Sequence, residues 1–183
     1  GAVDLHRSIV KSSNVYYYQL ANDMGVNAIH DFMKPLGFGQ ITGIDIPGET
    51  RGVLPSTEWK RTTYKRAAQQ KWYAGETISL GIGQGYNNFT MLQLASATAT
   101  LAAGGTKHTP HIVKAEQDPQ TLQFKDIAQP PGADLGYKAA NVALVKRGMV
   151  GVTQEGTSRG VFVGAPYLSG GKTGTAQAVT IGQ

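Results

Sequence analysis

The chain has 183 residues, 40% of them apolar, which leaves room for one domain with a real core and excludes a disordered chain. It has no cysteine, so disulfides, thiol catalysis and thiolate metal sites are excluded, while either redox compartment is compatible. The formal charge of +5 would suit a polyanionic partner, but the excess gathers between Lys60 and Lys71, interleaved with Trp59, Tyr64 and Trp72, and no nucleic-acid motif accompanies it.

That basic stretch therefore reads as a solvated loop, and no nucleic acid is expected as a partner. His6, His30, His108 and His111 are scattered, and the closest pair is separated by Thr109-Pro110, which favours extended chain over a helical ligand pair; neither metal nor cofactor is expected. The longest apolar run, Leu94 to Ala103, falls well short of the roughly 20 residues that a membrane helix needs. Any targeting or anchoring segment is expected to lie outside this sequence.

From the N-terminus, Leu5, Ile9, Tyr16, Leu20 and Met24 recur at helical spacing and predict one helix over 4–24, stopped by Gly25. Ser12 and Asn14 then sit at or near a helix or a helix junction. A second helix opens at Asn27 or Asp31 and ends near Pro35-Leu36-Gly37. Residues 38–58 are dense in glycine and proline and read as loops with at most a short strand at 44–46; the basic segment follows as a long connection.

A glycine-rich polar stretch at 77–85 precedes a strong helical run over 89–103, with Met91, Leu94, Ala95, Thr98, Leu101 and Ala102 on one face and Gly104-Gly105 as its cap. Residues 109–116 alternate as a strand does, with Pro110 at its start. An exposed hairpin or loop is expected over 118–132, an amphipathic helix over 137–150, a turn at 156–160 and a strand over 167–179. No internal repeat is visible. Helices first and strands mostly later predict an α+β fold in which helices pack on an antiparallel sheet, mostly helical over roughly 1–105 and sheet-associated over 106–183.

The chemistry concentrates in Ser169-Gly170-Gly171-Lys172-Thr173-Gly174-Thr175-Ala176-Gln177. Glycines flanking a lysine and a hydroxyl suit an edge strand that a ligand can approach closely. An ammonium beside a hydroxyl can hold a carboxylate, and a bare backbone N–H further along can stabilise an oxyanion, which points to acyl transfer. A phosphate-loop reading of Gly171-Lys172-Thr173 needs a glycine where Pro166 stands. Gly37-Phe38-Gly39 and Gly81-Ile82-Gly83 lack the third glycine of a dinucleotide fingerprint.

Lys172-Thr173-Gly174 and, upstream, Ser12-Ser13-Asn14 match two of the three signatures of the serine acyltransferases, the third being Ser-x-x-Lys. The wider text is more specific. Val3 to Ser8 leading into Ser12 to Tyr18, then Thr42-Gly43-Ile44-Asp45-Ile46-Pro47-Gly48-Glu49, Gly81-Ile82-Gly83-Gln84-Gly85-Tyr86 and Lys172 to Gln177 together resemble the class B penicillin-binding proteins, in particular the elongation-type transpeptidases, over essentially the whole chain.

That resemblance implies the β-lactamase and transpeptidase fold, with an antiparallel sheet, a helical subdomain and the active site between them. It implies that Ser12 relays protons to the leaving group, that Asn14 hydrogen-bonds the substrate amide, and that Lys172 supplies positive charge. Thr173 would bind the terminal carboxylate, Gly174 would permit close approach, and the Thr175 N–H would form half of the oxyanion hole. The implied partners are a peptidoglycan stem peptide ending in D-Ala-D-Ala, β-lactam antibiotics and a membrane glycan polymerase. The implied place is the periplasmic face of the bacterial inner membrane, with anchoring by an N-terminal helix outside this chain.

Two strings fit Ser-x-x-Lys, Ser8-Ile9-Val10-Lys11 and Ser169-Gly170-Gly171-Lys172. Neither suits the nucleophile, because the motifs must converge from separate elements: the first adjoins Ser12 to Asn14 on the same predicted helix, and the second would use Lys172 twice. Family spacing places the nucleophile before Gly1, so the chain is expected to be a transpeptidase fragment truncated at both ends and inactive alone. Helix faces at 89–103 and 137–150 should then be exposed. The alternative reading is a non-catalytic binding or sensor module on the same fold.

Overall fold

The computed structural model describes residues 2–176. In chain order they form α1 (Leu5–Val10), α2 (Asn14–Met24), α3 (Val26–Met33), a 3-10 turn (Lys34–Leu36), α4 (Thr57–Thr63), α5 (Ala67–Gln70), α6 (Ala74–Leu80) and α7 (Met91–Ala102). Then come β1 (Thr106–Lys107), β2 (Ala115–Gln117), β3 (Phe124–Asp126), β4 (Ala133–Asp134), α8 (Ala139–Gln154) and α9 (Arg159–Phe162). β1 pairs antiparallel with β4 and β2 with β3, so the architecture is α+β as expected. Two compact units are present. One gathers the N-terminal segment to Asp31, Pro55–Asn87 and the chain from Lys138 onward; the other gathers Phe32–Leu54 and Asn88–Tyr137.

In the first unit α1 lies along α8. Asp4 caps α1 by accepting a hydrogen bond from the Arg7 N–H at 2.7 Å, and the helix buries Ser8, Ile9 and Val10. α8 answers with glycine: a Cβ on Gly148 would stand 2.8 Å from Ile9 Cδ1, and one on Gly151 would stand 2.6 Å from Val10 Cγ2. The two helices therefore meet side chain to backbone, closer than any larger residue permits.

The single helix expected over 4–24 is in fact two. Lys11 closes α1, Ser12 takes φ 52°, and Ser13 stands as the N-cap of α2. The Ser12 N–H donates to the Ile9 carbonyl at 3.2 Å and the Ser13 N–H to the Ser8 carbonyl at 2.9 Å. This is a Schellman turn with serine in the left-handed position that glycine usually takes, and apolar periodicity does not register it because Leu5, Ile9, Tyr16 and Leu20 stay in phase across the break.

The basic stretch is not a solvated loop. Ser56 caps α4, and Lys60 on that helix is 3% exposed, ion-paired with Glu76 on α6 and set over the rings of Trp72, Tyr73 and Tyr86 at 5.4–5.5 Å. Glu76 also accepts from the Tyr86 hydroxyl at 2.9 Å and the Tyr73 N–H at 2.8 Å. Desolvation raises the Glu76 pKa, but the Lys60, Tyr73 and Tyr86 hydrogen bonds together carry it below the usual carboxylate range. Burial, joined by the bond to Glu76, pushes the Tyr86 phenol well up. One of the interleaved aromatics, Trp72, joins Tyr73 and Tyr86 in a cage around Lys60.

In the second unit a Thr90–Gln93 capping box opens α7. Gln93 is 1% exposed, and its Nε2 donates to the carbonyls of Gln40 at 2.6 Å and Arg51 at 2.8 Å. The Thr42 to Glu49 stretch folds on itself: the Glu49 carboxylate accepts from the Thr42 N–H and hydroxyl and from the Gly43 N–H, at 2.8–2.9 Å. Asp45, presented by this turn, accepts from the N–H groups of Ile112 and Val113, each at 2.8 Å, and those bonds hold its carboxyl below the usual range. Residues 109–116 are strand only from Ala115, and the polar excursion is the β2–β3 hairpin. Met91 and Leu94 on α7 and Leu144 on α8 are exposed. Among the described residues no helix is long and apolar enough to cross a membrane.

Candidate active site

The predicted motif strand does not form: residues 167–176 carry no strand, and Gln177 to Val179 lie outside the described residues. The segment is instead tied to α8. The Gly171 N–H donates to the Met149 carbonyl at 3.0 Å, and the buried Thr153 hydroxyl donates to the Ser169 carbonyl at 2.7 Å. α8 thus grips α1 through its glycines and the Lys-Thr-Gly segment through Met149 and Thr153.

The result of that double grip is a contact between positions 160 apart: Lys172 Nζ donates to Ser12 Oγ at 2.7 Å. A second Nζ proton goes to the Thr173 carbonyl at 2.8 Å. Serine is free here to pass its own proton onward, since it receives one hydrogen bond from the ammonium and keeps its O–H to give. Both named partners of Lys172 are neutral oxygens, and partial desolvation lowers its pKa. A lysine that donates to a hydroxyl able to give its own proton is placed to move protons through Ser12.

Thr173 is exposed, and its Oγ1 meets Thr157 Oγ1 at 2.8 Å; one of these two hydroxyls keeps a proton for an incoming acceptor such as a carboxylate. Gly174 and Thr175 are exposed, and the Thr175 carbonyl accepts from Gln84 Nε2. Asn14 is exposed at the first position of α2, two residues after Ser12. Ser12, Lys172 and Thr173 are therefore joined through hydrogen bonds, while Asn14 stands beside them without entering that chain. All belong to the first unit.

Ser8 is fully buried; its Oγ donates to the Leu5 carbonyl at 2.7 Å and pairs with Tyr17 Oη at 3.2 Å. Lys11 Nζ donates to the Glu155 carbonyl at 3.2 Å. The sequence assigned no role to Thr157, placed in a turn, or to Gln84, which entered only within the Gly81 to Tyr86 string that carries part of the family resemblance. The flanking glycines at Gly83 and Gly85 were the available signal for Gln84; nothing local distinguishes Thr157.

Residues 1–183 match the family described as the penicillin binding protein transpeptidase domain. The chain belongs to that family. It is 42% identical over 183 residues to the peptidoglycan D,D-transpeptidase MrdA of Haemophilus influenzae, covering 99% of this chain and 27% of that relative. Among solved structures, penicillin-binding protein 2 of Pseudomonas aeruginosa in complex with WCK 5153 is 39% identical with a TM-score of 0.78, covering 96% of this chain and 39% of that one. Penicillin-binding protein 2 of Helicobacter pylori in complex with MreC is 27% identical with a TM-score of 0.81, covering 97% and 31%. The fold is that of the β-lactamase and transpeptidase class, and the chain spans about a quarter of the curated relative's length. Among the described residues no group of three or more His, Cys, Asp or Glu could hold a metal ion.

Proposed function

We propose that this chain is part of the transpeptidase domain of a peptidoglycan D,D-transpeptidase of the elongation type, acting at the periplasmic face of the inner membrane beside a membrane glycan polymerase. The observation that carries the reading is the hydrogen bond of Lys172 to Ser12, which joins the two family signatures present in the chain.

In this reading a serine hydroxyl attacks the carbonyl of the penultimate D-alanine of a stem peptide. The terminal D-alanine leaves as its amine takes a proton, and the acyl-enzyme passes to the amine of a second stem peptide. β-Lactams enter by the same attack. Ser12 delivers the proton to the leaving nitrogen and is recharged from Lys172. Thr173, paired with Thr157, holds the terminal carboxylate beside the Lys172 charge. Gly174 leaves space for the ligand, Asn14 receives the substrate amide, and the Thr175 N–H faces the oxyanion. The attacking serine is assigned to a Ser-x-x-Lys before Gly1, since Ser8 is buried and Lys172 is engaged by Ser12.

The test is incubation with a fluorescent penicillin followed by intact mass and peptide mapping. The full-length gene product should carry one adduct on a serine upstream of Gly1, and the 183-residue chain alone should carry none. A stoichiometric adduct on Ser8, Ser12 or Ser169 would overturn the assignment.

A further inference from the structure

We infer that Gln84 is a positioning residue for acylation, that it holds the Thr175 carbonyl from a loop anchored by the Lys60–Glu76–Tyr86 cluster, and that this inference rests on the function proposed above. The loop runs from Gly81 to Tyr86, directly after α6. Its beginning is pressed onto α2: a Cβ on Gly81 would stand 2.5 Å from the Tyr17 carbonyl oxygen and 2.7 Å from Ala21 Cβ. Its middle is closed back on α6, where the Gly83 N–H donates to the Leu80 carbonyl and the Gln84 N–H to the Ser79 carbonyl, each at 3.0 Å.

Its far end is Tyr86, whose hydroxyl donates to Glu76 and whose ring covers the Lys60 ammonium. Asn87 Nδ2 adds a bond to the Leu80 carbonyl at 3.2 Å. The loop is thus fixed at both ends and at its backbone, and the half-buried Gln84 reaches out from it to the Thr175 carbonyl.

That carbonyl needs a fixed donor. Residues 172–176 are exposed and carry no strand ladder, and the α8 ties described above reach only as far as Gly171. Beyond Lys172, Thr157 steadies the Thr173 side chain, whereas Gln84 grips backbone. Holding the Thr175 carbonyl fixes the plane of the Thr175–Ala176 peptide, and through the two backbone dihedrals of Thr175 it restrains the direction of the Thr175 N–H in the preceding peptide. An oxyanion donor acts through where it points before the charge develops, so a loosened Thr175 should slow the chemical step more than it weakens ground-state binding. The cluster of Lys60, Glu76 and Tyr86 lies outside the reacting groups and acts only through the loop.

The experiment measures, in the full-length protein, the affinity for a β-lactam before reaction and the first-order acylation constant, from pH 4.5 to 8. Gln84→Ala should lower the acylation constant by about tenfold with the prior affinity changed by less than about threefold. Gln84→Glu sets a carboxylate against a carbonyl and should fall below Gln84→Ala at neutral pH. Its ratio to wild type should then recover as the pH drops toward about 4.3, where a protonated carboxyl can donate to Thr175. Tyr86→Phe, which keeps the ring and frees the loop only at one end, should cost about two- to threefold in the same constant. A merely structural glutamine would show no such recovery with acid.

Wild-type acylation constants in Gln84→Ala and Gln84→Glu at every pH would overturn the inference while leaving the proposed function intact. An equal loss in affinity and rate, without recovery in Gln84→Glu, would also overturn it. Absence of acylation in the wild-type full-length protein would overturn the proposed function and this inference with it.

Discussion

Two neighbouring regions of the first unit are built on opposite terms. The seam between α1 and α8 is closely packed: Ser8, Ile9, Val10 and Val152 are buried, and two glycines admit the side chains of Ile9 and Val10 onto the α8 backbone. The rim beside it, Ser12 on one side and Lys172 to Thr175 on the other, is half-exposed or exposed and held by single hydrogen bonds. Tight packing sets position, and the loosely packed rim is left free to bind. The cost of that freedom is visible in Ser12, whose left-handed backbone is one that L-residues avoid.

The largest effect should come from the rim. Lys172→Ala in the full-length protein should slow acylation by about a hundredfold or more while leaving the melting temperature within about two degrees, because an exposed lysine carries little stability. A large fall in melting temperature would place Lys172 in the seam's class instead. At the seam the balance reverses. Gly151→Val adds methyls where Val10 already stands and should cost about 1–3 kcal/mol by overpacking, read as a lowered denaturant midpoint with m unchanged. Because α8 also holds Ser169 and Gly171, acylation should fall too.

How much of this was legible beforehand divides along the same line. Ser12, Asn14 and Lys172 to Thr175 stood out in the sequence because acyl transfer restricts which residue types can serve, and the structure joins three of them, Ser12, Lys172 and Thr173, by hydrogen bonds. The helix break at Lys11 to Ser13 was not readable, since serine rather than glycine occupies the left-handed turn and the apolar phase runs through it. The buried Lys60 was mistaken for a solvated charge because its carboxylate partner lies sixteen residues away on another helix. Nor could periodicity show that residues 167–176 are tied to a helix backbone instead of to a strand. Long-range partners decide these cases, and local pattern contains none of them.

A smaller effect separates strain from chemistry at Ser12. Ser12→Gly relieves the left-handed backbone and should stabilise the protein by about 0.5–1 kcal/mol, whereas Ser12→Ala should not; both should lose the proton relay and slow acylation alike. If Ser12→Gly proves less stable than Ser12→Ala, the turn is not strained and the contrast between seam and rim fails there.

The smallest effect lies in the second unit, where Asp45 holds the Ile112 and Val113 N–H groups in the open. Its folded pKa is depressed, so the stability it adds is present above the unfolded value of about 3.9 and is lost as pH falls through the folded value. Asp45→Asn should flatten the melting temperature against pH between about 2 and 4 and leave it unaltered in shape above about 5. An unchanged acid slope would show that this exposed contact contributes nothing.

The proposed function makes Ser12 and Lys172 one proton-handling unit, because α8 holds both α1 and the segment that leads into Lys172. A double-mutant cycle on the acylation constant of the full-length protein tests it most directly, with Ser12→Ala, Lys172→Ala and the double variant measured at one pH. Residues that share a single hydrogen-bonded step should couple by most of the smaller single loss, so the double variant should be no slower than the slower single variant by more than about threefold. Losses that multiply, leaving a coupling within about 0.3 kcal/mol of zero, would contradict it.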